Sequence, residues 1–319
     1  MQKILSIIVI ISLFFSCETD SKLEQEIASI DVTFNIERFD KLFAKATPES
    51  LPELKTEYPF MFSKRYNDSL WMHKINDTLQ QQLNLEVEKA FATDQSYEIE
   101  IQSLFQHLKY YFKAFKSPRI ITVTSDVDYR NKTIVTDTIV LIALDTYLGA
   151  NHEFYEGIPK YIRQNFESSQ IVPDLATQYA LQNVYQPKRK TFLDEMIYYG
   201  KVLYFKDIMI PFKADDEKIG YTKQQLNWAI DNESYIWRYF VERELLFNTD
   251  SQLLNRFINP APFSKFNLEL DGESPGRLGQ YTGWQIVKAY MKNNDVTLQK
   301  MLNTSAEDIF NNSKFKPRK

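Results

Sequence analysis

The chain has 319 residues, 44% hydrophobic and 14% aromatic, which is ample for a sizeable core and excludes a disordered tether. Its formal net charge is -4, with both signs mixed along the sequence, so it offers no basic stripe of the kind nucleic-acid binding needs. Cys17 is the only cysteine, which excludes an internal disulfide and, once that thiol is used for acylation, leaves none in the mature chain.

Residues 1–16 read as a signal peptide, with Lys3 as the positive start, Ile4 to Phe15 as the apolar stretch, and Ser16 as the small residue before the cut. An apolar run this short does not match the roughly 20 helical residues that span a bilayer. Cleavage before Cys17 and lipidation of its thiol are therefore expected, although Phe14 stands where stricter signals carry Leu. An acyl chain contributes about 0.8 kcal/mol per buried methylene, so several chains hold the protein to a membrane without a spanning helix. Residues 17–29, rich in charge, read as a solvated tether, and residues 30–319 as a single globular domain.

Within that domain, the alternation in Val32 to Ile36 predicts a half-buried strand, and Arg38 to Ala46 a helix ended by Pro48 and Pro52. Apolar residues at helical spacing predict helices over Asp77 to Phe91 and Ile99 to Phe115. After Pro118 the chain turns β-branched: Ile120 to Thr124 and Thr133 to Leu144, separated by a turn at Asn131, predict a hairpin or small antiparallel sheet. Helical spacing then returns over Ile162–Phe166, Leu175–Val184, Phe192–Phe205, Lys223–Ile230, Glu233–Leu246 and Thr282–Asn293, with Thr222 and Gln225 forming a capping box. The fold class is α+β, mainly helical, with no internal repeat.

Catalytic signatures are scarce. The histidines His73, His107 and His152 are scattered, none paired at the i, i+4 spacing that places two imidazoles on one helix face. A nucleophile elbow, a phosphate loop and a dinucleotide fingerprint are all missing, and no cofactor is expected. The carboxylates of Asp194, Glu195, Glu242 and Glu244 read as helix caps and solvated faces. The run Pro275 to Trp284 differs in kind. Gly276, Gly279 and Gly283 lead into a helix beside Arg277, Tyr281 and Trp284, a pattern suited to close backbone approach or to lining a cleft.

Several segments together resemble the gliding-motility lipoprotein GldB family: Ile36-Glu37-Arg38-Phe39-Asp40, Glu57-Tyr58-Pro59-Phe60, Ala143-Leu144-Asp145-Thr146-Tyr147-Leu148-Gly149, Tyr199 to Phe205, Pro275 to Tyr290, and Ser313 to Pro317. The resemblance implies an envelope lipoprotein, anchored by lipid and facing the periplasm, that serves gliding movement together with the type IX secretion machinery. It also implies a scaffold distantly related to zinc metallopeptidases of the zincin type. With that order of elements laid on this chain, Gln178 and Gln182 stand at the two histidine positions, Tyr179 at the catalytic glutamate, and Tyr199-Gly200 at the Glu-Gly pair. None of these side chains does a zinc ligand's work. The expectation is thus a metal-free pseudoenzyme whose old cleft, lined by Gln178, Tyr179, Gln182, Glu195, Tyr199, Gly200, Arg277, Tyr281 and Trp284, is kept for binding. The alternative is an envelope hydrolase acting on peptide or cell wall. Asp68-Ser69-Leu70, Asp77-Thr78-Leu79 and Asp137-Thr138-Ile139 resemble acceptors of O-linked glycans, at Ser69, Thr78 and Thr138.

Overall fold

The computed structural model describes residues 22–93, 96–268 and 271–319; Cys17 and the signal segment lie outside them. In chain order the elements are α1 (22–28), β1 (Ile36–Glu37), α2 (Phe39–Ala44), α3 (Leu51–Glu57), α4 (Asp68–Ile75), α5 (Thr78–Ala90), α6 (Ser96–Tyr111), β2 (Arg119–Val123), β3 (Thr133–Val135) and β4 (Ile139–Ala143). The rest is helical: α7 (Lys160–Arg163), α8 (Ile171–Asn183), α9 (Phe192–Met209), α10 (Asp215–Ile219), α11 (Lys223–Asp231), α12 (Glu233–Glu242), α13 (Gln252–Phe257), α14 (Leu278–Asn293), α15 (Leu298–Asn303) and α16 (Ala306–Ser313). The expected capping box at Thr222 and Gln225 is present, and Thr191 with Asp194 forms a second one that starts α9.

The fold begins ahead of Ile30. Residues 22–28 of the segment expected as tether form α1, which buries Ile27 to 1% exposure. The Gln106 amide donates to the carbonyls of Ala28 and Ile30 at 2.8 and 3.1 Å, tying this start to α6.

The sheet is mixed rather than antiparallel, in the order β1-β2-β4-β3. The two segments expected to pair across Asn131 do not form a hairpin: β4 lies parallel to β2, with Ile121 opposite Leu141, and the hairpin falls inside the second segment, between β3 and β4, with Ile134 opposite Leu141. β1 adds parallel to β2 after a crossover through α2 to α6. The β1 strand is shorter than its alternation suggests: Val32, Phe34 and Ile36 all point to the core, yet only Ile36–Glu37 pair with a neighbour. Successive residues face opposite sides. Ile120, Val140 and Ile142 enter the main helical core, while Ile121, Val123 and Ala143 enter a smaller cluster with Phe39, Phe43, Leu54, Tyr58 and Phe62. Burial on both faces explains why β2 and β4 are apolar throughout.

A buried carboxylate fixes the far end of the sheet. Asp145, fully enclosed just beyond β4, accepts the backbone N–H groups of Ser125 at 2.9 Å and Val127 at 2.7 Å. Those bonds hold a turn in which Asp126 and Val127 are left-handed.

The centre of the main core is the crossing of α9 and α14. A Cβ atom at Gly200 would land on the carbonyl of Gly283, and one at Gly283 on the carbonyl of Met196, so the two backbones are in direct contact. Replacing Gly283 with Ala should lower the unfolding free energy by roughly 2 kcal/mol or more, through overpacking against backbone that has nowhere to move. Gly272→Ala, where an added Cβ meets nothing within 4 Å, is the control. Urea denaturation of the two variants checks this; equal midpoints would refute the backbone-contact account.

Candidate functional site

Helices α8, α9 and α10, the loop after β2 and the entry to α14 enclose a cavity of about 450 Å³, within the usual range of small-molecule sites. Its walls include Tyr129, Lys132, Gln164, Asn165, Asp174, Tyr199, Lys206, Tyr221 and Arg277. Each is placed by an element already described. Asp174 stands in the first turn of α8, Tyr199 and Lys206 lie on one side of α9, and Arg277 is the last residue before α14.

Arg277 has a left-handed backbone, φ 62°, a conformation that costs a non-glycine residue roughly 1 kcal/mol or more. Gly276 before it packs against Ala261, and the Tyr221 hydroxyl donates to the Gly276 carbonyl, so the turn is held from both sides. The result aims the guanidinium at α10, where it donates to the Gly220 carbonyl at 2.8 Å and lies 5.2 Å from the Tyr221 ring centre. Burial lowers its affinity for a proton below the usual arginine range.

Lys206 is buried and donates to the Lys218 carbonyl at 2.7 Å. Burial pulls its pKa from the ordinary 10.5 down to about 8. Asp174 and Asp207 oppose that shift, and Arg277 and Lys132 add to it. Lys132 is paired with Asp174 at 2.5 Å, and Asp174 also accepts the Tyr147 hydroxyl at 2.9 Å. Among the described residues, neither Lys206 nor Arg277 has a carboxylate within ion-pair distance. The site is therefore a donor-rich, positively charged enclosure with aromatic walls.

Of the residues expected to line a cleft, only Tyr199 and Arg277 reach this cavity. Gly200, Tyr281 and Trp284 instead build the helix crossing beside it: Tyr281 donates to Glu233 at 2.8 Å, and Trp284 Nε1 donates to Asp207 at 2.7 Å beneath the Lys288 ammonium. Glu195 is held by Arg189, whose guanidinium stacks 3.7 Å from the Tyr198 ring centre. Tyr179 points to the opposite side of α8, between Phe105 and Phe115. Gln182 donates to the Val135 carbonyl at 2.9 Å, and Gln178 is half-buried outside the cavity wall. The side of α8 that faces the cavity carries Asp174 and Thr177, one turn before the residues the sequence singled out. Ser69, Thr78 and Thr138 are all exposed.

Against protein-family models, residues 20–317 match the gliding motility protein GldB. The chain belongs to the GldB family. No curated protein and no solved structure matches it. Two of the segments that carry the resemblance have structural roles here: Ala143 to Gly149 contains the Asp145 anchor, and Tyr199 to Phe205 supplies one side of the helix crossing. In this GldB-family chain the Gly276-Arg277 turn shapes the cavity, and Phe315 near the end packs edge-on to Trp237.

Lys206 gives the site a pH signature. Below pH 8 it is charged in both the folded and unfolded states, and the folded chain carries the whole burial cost. Between about 8 and 10.5 the unfolded chain binds more proton, so stability rises with pH through that window. The stability difference between Lys206→Met and the parent chain should shift in the parent's favour from pH 7 to pH 9.5 in urea titrations. A difference independent of pH would contradict the burial assigned to this ammonium.

Proposed function

We propose that this chain is a non-catalytic, lipid-anchored envelope component of the gliding and type IX secretion machinery, acting by binding rather than by bond cleavage. The observation that carries this reading is membership of the GldB family along almost the whole chain. Two features support it. No helix among the described residues is long and apolar enough to cross a membrane, so attachment falls to the lipid expected on Cys17. Among the described residues no group of three or more His, Cys, Asp or Glu side chains is arranged to share a metal ion.

The scaffold reading extends this. The reading is supported by the β3–β4 hairpin, which precedes α8 and α9 in the chain, and by the packing of α8 on β3, as the peptidase-like order laid on the sequence requires. Where such an enzyme places metal ligands on the helix facing the cleft, this chain presents Asp174, held by Lys132 and Tyr147, and Thr177. The catalytic groups are thus replaced by ion-paired and cationic side chains, and the enclosure remains. Exposure of Ser69, Thr78 and Thr138 is compatible with their use as glycan acceptors, and the intact mass of the native protein would show added sugar.

Cys17→Ser should release the protein from the membrane fraction and abolish gliding, while a chain carrying an unrelated lipoprotein signal should restore both. Crosslinking in native membranes should recover gliding or secretion components. Retention of the Cys17→Ser chain on the membrane, or crosslinks to itself alone, would overturn the proposal.

A further inference from the structure

The cavity's chemistry narrows what it holds, given the reading of it as a binding site. Its donors outnumber its acceptors. The Gly220 carbonyl alone receives the Arg277 guanidinium at 2.8 Å, the Asn165 amide at 3.0 Å and the Gln164 amide at 3.2 Å. Three donors converging on one backbone oxygen indicates a shortage of acceptors. A guanidinium carries several N–H groups in a planar fork suited to two-point contact with an oxyanion, and in Arg277 one of them is engaged by a protein oxygen. The one carboxylate in the wall, Asp174, is already taken by Lys132 and Tyr147.

The backbone points the same way. Arg277 is strained into its left-handed turn immediately before α14, and Gly276, Arg277 and Gln280 line the cavity there. The strained turn brings Arg277 into the same cavity wall as Lys206, near enough for its charge to disfavour the Lys206 ammonium, and packing alone explains such a pairing of like charges poorly. An anion between them would remove that repulsion.

We propose that the cavity binds a small molecule bearing an oxyanion, a carboxylate or a phosphate, with Arg277 as its planar anchor, Lys206 as the second cation, and Tyr199 and Tyr221 against its less polar part. The ligand is of metabolite size, set by the cavity of about 450 Å³. Carboxylate and phosphate share the chemistry the site recognises and are separated by titration.

The test is calorimetric titration of the full chain in detergent with inorganic phosphate, with acetate and with neutral p-cresol, at constant ionic strength made up with chloride. Saturable binding of phosphate or acetate is expected, and the stronger of the two identifies the ligand class. Arg277→Gln and Lys206→Met should each weaken it about tenfold or more, the loss of a charge-assisted hydrogen bond. Lys132→Gln, which removes the ammonium paired with Asp174 at 2.5 Å while keeping most of the side chain's length, should weaken it too by freeing the Asp174 charge in the wall; this variant carries the test if the other two fail to fold. A folded Arg277→Gln chain that binds as the parent does would overturn the proposal. Binding of p-cresol with neither anion would overturn the oxyanion assignment and leave the cavity a binding site; no binding of any probe would remove both.

Discussion

The contact of Gly200 with Gly283 is the constraint on which the rest of the molecule depends. Without side chains at those two positions, α9 and α14 meet backbone to backbone, and the residues on either side are committed by geometry. On one side Trp284 is driven onto Asp207, where Lys218 and Lys288 complete a network of charges around the indole. On the other, Gly279 is closed against Phe257, Ile258 and Phe192, which joins α13 to the same core. Lys201, one residue past the contact, is fully buried and donates to the carbonyls of Leu302 and Thr304, a cation at the C-terminal end of α15 where the helix dipole favours it.

The cavity is a consequence of that crossing. The chain enters α14 through the strained Gly276-Arg277 turn, which reaches the C-cap of α10, and Tyr221, Arg277 and Lys206 line the space beside it. Backbone carbonyls of α10 and its C-cap accept from the two cations, and the Asp174 charge favours the protonated form of both. Lys206 nevertheless holds its proton more weakly than a solvated lysine. Polar groups arranged this way are a weak source of stability.

Much of the architecture was legible in the sequence because long amphipathic helices advertise their period. Apolar spacing marked helices from Asp77, Ile99, Leu175, Phe192 and Thr282, and α5, α6, α8, α9 and α14 stand there, with α6, α8 and α14 each starting three or four residues earlier. The parallel pairing of β2 with β4 was not, since local pattern specifies a hairpin but not which edge of it meets the next strand. Short helices such as α10, α13 and α15 lack enough turns to show a period. Within the site, Arg277 was visible through the glycine run around it, whereas Asp174, Lys132 and Lys206 were missed as ordinary charged residues. A signal for Lys206 existed. The segment Phe192 to Met209 is apolar nearly all round, which implies a helix enclosed on every side and therefore buries any lysine in its second half. Tyr179 was misread for the same kind of reason: in sequence order it looked like a cleft residue, but its ring belongs between Phe105 and Phe115.

Elemental mass spectrometry of the protein extracted from its native membrane in detergent, purified without chelator, decides whether the proposed cationic binding site works without a metal. A folded chain with no stoichiometric transition metal is expected; near-stoichiometric zinc would overturn the proposal and bring the hydrolase alternative forward.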